Sequence, residues 1–71
     1  MYESAEIAKT IKKVAKSKNI LLKDMFSDLG LNKNTMTNLY RGSMINADSL
    51  AKIADYLDCS VDYLLGRTDE L

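Results

Sequence analysis

No proline interrupts this chain, and its apolar residues recur at helical spacing almost from end to end. Proline is the strongest breaker of a helix interior, so its absence leaves helical stretches unobstructed. The spacing breaks near residues 19–20, 30–32, 42–46 and 58–60, which divides the 71 residues into five short helices. An apolar stripe on one short helix cannot bury itself, so all five must share a core. The expected fold class is therefore all-α. Residues 1–71 read as a single domain, with 67–71 as a tail or the start of a linker.

A domain of this size buries only about 60% of the surface its unfolded chain exposes, so small folds often add a disulfide or a metal. This chain has one cysteine and no histidine. A lone thiol cannot close an internal disulfide, and one Cys without His cannot build a Cys/His zinc site. Ser-His-Asp and Cys-His catalysis are excluded for the same reason. Asp55, Asp58 and Asp62 stand at helical spacing, but nothing around them suggests a pocket, so they read as solvated surface rather than acid–base machinery. No enzymatic activity, no cofactor and no metal are expected. The longest apolar run, residues 20–22, is too short to span a membrane, and the first residues lack the basic and apolar regions of a signal peptide. A cytoplasmic location fits the lone cysteine, and Cys59 is expected to be a small buried residue.

Formal net charge is zero, but it is unevenly spread. Residues 1–41 carry eight Lys/Arg against four Asp/Glu, and residues 42–71 carry two against six. One half can face an anion while the other faces away.

The first helix is predicted over 4–18, with Ser4 as N-cap. Ile7, Ile11, Val14 and Ala15 share one face, while Lys9, Lys12, Lys13 and Lys16 cluster on the other. That lysine stripe reads first as a solvated face. Asn19 suits a left-handed exit. The second helix covers 22–29 and stops at Gly30, with Leu21, Leu22, Met25, Phe26 and Leu29 as a wide apolar stripe. The third follows Asn32 as N-cap and spans 33–41, ending at Gly42. Asn46 caps the fourth, whose buried stripe is Leu50, Ile53, Ala54 and Leu57. Ser60 caps the fifth, which ends at Gly66. Tyr56 and Tyr63 are expected to be half-buried.

Function is carried by helices two and three. Only Gly30, Leu31 and Asn32 join them, and a three-residue turn containing Gly makes two helices cross steeply, as in a helix-turn-helix. On helix three, Met36 and Leu39 fall on the apolar side, and Asn34, Thr37, Asn38 and Arg41 on the other. Lys33 stands at the start of that face. Between residues 29 and 47 the only charged residues are Lys33 and Arg41. Amides, Arg and Lys are the side chains that bond base edges in the major groove, and an acid there would repel phosphate.

The stretch KNILLKDMFSDLGLNKNTMTNLYRG over residues 18–42 resembles the Cro/repressor-type (lambda-repressor-like, Xre-type) helix-turn-helix family of phage and bacterial transcriptional regulators. The following SLAKIADYLDCSVDYLLGRTDEL resembles the fourth and fifth helices of the same class. The resemblance implies a lambda-repressor-like domain with its helix-turn-helix at helices two and three. It implies base-facing roles for Lys33, Asn34, Thr37 and Asn38, and phosphate contact by Arg41. The family's small polar cap and Gln are replaced here by Leu21 and Leu22, which leaves Lys23 as the candidate substitute anchor and Lys18 as a second. Phe26 replaces a small residue where the two helices cross, which predicts a wider separation or an altered angle. Tyr40 replaces a Glu beside the DNA.

The expected function is a cytoplasmic, nucleoid-associated regulator that binds double-stranded operator DNA in a sequence-specific way, a repressor from a phage, prophage or mobile element. A homodimer on a near-palindromic operator is the expected assembly. The competing expectation is a helical protein-interaction or antitoxin-like module without strong DNA affinity of its own.

Overall fold

Local signals place the helices. The computed structural model describes residues 3–32 and 34–69. Among these it forms α1 (Ser4–Ser17), α2 (Leu22–Leu29), α3 (Thr35–Tyr40), α4 (Ala47–Leu57) and α5 (Val61–Leu65), with no strands. Asn46 accepts the Ser49 amide at 2.7 Å, and Ser60 accepts the Tyr63 amide at 3.0 Å. Each bond satisfies a donor that has no carbonyl partner inside its own helix.

All five helices leave by one device. A residue with positive φ follows each of them: Asn19, Gly30, Gly42, Asp58 and Gly66. The next amide then reaches back to a carbonyl in the last turn: Ile20 to Ala15 at 2.8 Å, Leu31 to Phe26 at 2.9 Å, Ser43 to Asn38 at 2.9 Å, Cys59 to Ala54 at 3.0 Å and Arg67 to Asp62 at 2.8 Å. This Schellman exit uses carbonyls that the helix leaves unpaired and turns the chain sharply. Short joins follow, and short joins bring the stripes together.

The core draws on every helix. Ile7 and Ile11 of α1, Met25 of α2, Leu39 of α3, Ile53 and Leu57 of α4 and Leu64 of α5 are fully buried in one cluster. α1 packs against α3, α4 and α5, while α2 packs against α4. The radius of gyration is 10.9 Å, close to the ~11 Å expected for a compact chain of this length.

Four expectations are corrected. Ser4 does not cap α1. Glu3 holds that position, and Ser4 lies inside the first turn, buried, with its hydroxyl donating to the Leu39 carbonyl at 2.7 Å. The packing of α1 on α3 encloses it, and its hydroxyl turns to the other helix. Leu21 is not part of the buried stripe of α2. It precedes the first helical residue, where the helical period does not apply, and is 60% exposed. The third helix is shorter than 33–41, because Asn32 holds a turn ahead of it rather than its cap. Cys59 is half-buried rather than buried, because it sits at the α4 exit, on the rim of the core. Burial still pushes its thiol pKa up, against the opposing pull of Lys18.

Candidate nucleic-acid interface

The turn between α2 and α3 is built from three local features. Gly30 has φ +68°, a conformation that costs a residue with a Cβ roughly 1–2 kcal/mol. The Asn32 side chain accepts the Asn34 amide at 2.8 Å. The Asn32 carbonyl takes both the Thr35 hydroxyl at 2.6 Å and the Thr35 amide at 3.0 Å. Asn32 therefore organises the entry to α3 from two residues upstream, and the cap position passes to Asn34, whose side chain makes no cap bond.

α3 is pinned from beneath. Leu39 is 1% exposed in the core, and its carbonyl holds the Ser4 hydroxyl. Met36, expected beside it, is only half-buried and packs at the margin of the core. A buried face this narrow leaves the rest of a six-residue helix outside. Asn34, Thr37, Asn38, Tyr40 and Arg41 are all exposed. The side chains of Thr37, Asn38 and Arg41 make no hydrogen bond or ion pair with the described residues. Their donors and acceptors are thus available to an external partner.

The remaining expected site residues fall differently. Lys33 lies outside the described residues. Lys23 is exposed in the first turns of α2 and has no ion-pair partner among the described residues. The Lys18 ammonium reaches 3.5 Å from the Asp58 carbonyl, at the exit of α4. Lys18 is exposed, and Arg41 has no hydrogen-bond or ion-pair partner for its side chain among the described residues. Phe26 is buried in the core. α2 and α3 are not among the helix pairs that pack closely along their backbones, and each is held by a different helix, α4 and α1.

The surface beside α3 includes residues that the sequence reading left out. A shallow depression of about 180 Å³ is lined by Thr35, Asn38, Ser43, Met44, Asn46 and Ser49, among others. Met44, which the sequence reading left out, is 52% exposed, and Tyr40, expected beside the DNA, 46%. The available signal was an apolar residue in a loop with neither acid nor base, residues 42–46. Among the described residues no group of His, Cys, Asp or Glu could hold a metal ion, and no helix is long and apolar enough to cross a membrane.

A helix pair joined by a glycine turn, with a polar and acid-free second helix facing outward, is the architecture of a DNA-reading module. The family model of the Cro/C1-type HTH DNA-binding domain matches residues 10–70. The chain belongs to this family. Comparison with curated proteins gave no match, and comparison with solved structures gave none. As a Cro/C1-type domain the chain is a DNA-binding regulator whose partner is double-stranded DNA, and α2 and α3 are its helix-turn-helix.

Proposed function

We propose that this Cro/C1-type domain is a sequence-specific transcriptional repressor, from a phage, prophage or mobile element, that inserts α3 into the operator major groove. The observation that carries the reading is the outward amide-and-hydroxyl face of α3, exposed and with no side-chain partner among the described residues. Asn34 and Asn38 suit bidentate pairing with adenine, and Thr37 suits contact with a thymine methyl. Lys33, next to Asn34 in sequence, is the remaining base-reading candidate. Arg41 and Lys23 set the register on phosphates, because a cation at the edge of a groove-bound helix meets the backbone first. Lys18, also exposed, is a second candidate phosphate anchor. Met44 and Ser43 extend the face beyond the end of α3.

One short module offers few base contacts, so a homodimer on a near-palindromic operator follows, with half-sites about 34–36 Å apart or a multiple. The site of action is the cytoplasmic nucleoid, and residues 1–71 act as one domain. The test is selection of bound sequences from random duplexes, followed by anisotropy titration at two salt concentrations. A palindromic consensus and a steep fall of affinity with salt are expected. Absence of DNA affinity even at low salt would overturn the reading and favour a protein-interaction module.

A further inference from the structure

Away from α3, one place combines an apolar surface with unpaired positive charge. Where α1 gives way to α2, an open groove of about 430 Å³ is lined by Ala15, Ile20, Leu21 and Leu22, with Lys12 and Lys16 also on its wall. Leu21 is its anomaly. It occupies the cap position of α2, where Ser, Thr, Asp or Asn would satisfy an amide, and it makes no cap bond. It is also 60% exposed. In the free domain this side chain makes no cap bond and leaves most of its surface in water.

The lysines point to the chemistry of an occupant. Lys9 pairs with Glu6 at 3.4 Å and Lys52 with Asp48 at 3.1 Å, but neither Lys12 nor Lys16 has an ion-pair partner among the described residues. A nucleic-acid backbone would use the lysines and leave Leu21 against charged phosphate. A small molecule would stay largely in water, because the groove is open, whereas ligand sites usually enclose most of their ligand. An amphipathic helix with leucine-type side chains beside carboxylates matches both features.

We propose that the α1–α2 groove docks an acidic amphipathic helix of a partner protein. Ile20, Leu21 and Leu22 take its apolar side chains, and Lys12 and Lys16 take its carboxylates. The assignment does not rest on base reading by α3, although the groove adjoins Lys23.

The probe is a fluorescent synthetic helix of about 15 residues, with leucines along one stripe and glutamates on both flanks, titrated with the whole chain. A second peptide carries lysine in place of every glutamate. Saturable binding of the acidic peptide is expected, with amide chemical-shift changes confined to residues 12–22. The lysine peptide should bind at least ~10-fold more weakly, and so should the acidic peptide to Leu21→Ser or to the double variant Lys12→Glu with Lys16→Glu. Leu21→Ser fills the empty cap, so its melting temperature should equal or exceed that of the parent, which separates lost docking from lost folding. The proposal is overturned if the acidic peptide does not saturate, if its binding survives these substitutions, or if the shifts map elsewhere. Sedimentation of the chain alone supplies the remaining check. Self-association abolished by Leu21→Ser would assign the groove to a second copy and overturn the acidic-partner assignment.

Discussion

The Ser4 hydroxyl donates to the Leu39 carbonyl at 2.7 Å, in the interior and across 35 positions of sequence. This bond fastens the beginning of α1 to the last turn of α3. The same carbonyl also accepts the Gly42 amide at 3.1 Å. Ser4→Ala therefore removes one bond without orphaning the acceptor, and should cost about 1 kcal/mol. The melting temperature should fall by roughly 4–8 °C. Thermal unfolding of the two proteins under one buffer decides it, and an unchanged midpoint would show that the bond contributes nothing.

Two substitutions on the exposed face of α3 should behave differently. Asn38→Ala should cost ~1–3 kcal/mol of binding at the selected operator and relax preference at one base position. Arg41→Ala should weaken every duplex alike and lower the salt slope by about 1. Anisotropy against operator and point-mutated operators, at several salt concentrations, distinguishes the two. Asn38→Ala binding with unchanged affinity and preference would remove it from the base-reading set.

Stability should depend on pH through the pair that joins α2 and α4. The Tyr56 hydroxyl donates to the Asp28 carboxylate at 2.7 Å. That hydrogen bond, with smaller contributions from burial and the charge of Asp28, raises the Tyr56 pKa above its ordinary value near 10. The protonated phenol is the favoured form in the folded state. The contribution is therefore complete below about pH 10 and is lost as pH rises through the raised folded value. Tyr56→Phe should be less stable than the parent at neutral pH and should close that gap in alkali. Urea midpoints measured at neutral pH and above about pH 10 test the sign; a gap that stays constant would detach the pH effect from this pair.

Gly30→Ala tests the turn without a steric complication. Nothing lies within 4 Å of where the new Cβ would sit, so only the left-handed backbone, φ +68°, resists the change. The expected loss is about 1–2 kcal/mol. DNA binding by the folded fraction should be retained, which calorimetric unfolding and a titration on one sample can show together.

How far the sequence was legible depends on whether the deciding physics was local. The apolar stripes of α1 and α4, the caps Asn46 and Ser60, the left-handed Asn19 and the bounds of α2 all rest on residues within about one turn of each other. Those expectations hold in the structure. The start of α3 was missed because Asn32 has two local options, cap or turn, and composition does not choose between them. The outward placement of Asn34, Thr37 and Asn38 followed from helical geometry once Leu39 was assigned to the core.

The sequence by itself determined the order of the helices, most of the residues they bury and which helix carries the acid-free polar surface, because caps and periodicity act over a single turn. Only the tertiary structure decided that Ser4 serves α3 rather than α1, that Tyr56 meets Asp28, that Lys18 turns to Asp58 and that Leu21 stays outside. Each of these depends on which helix ends meet, and that is settled by the packing of five stripes into one core rather than by any neighbouring residue.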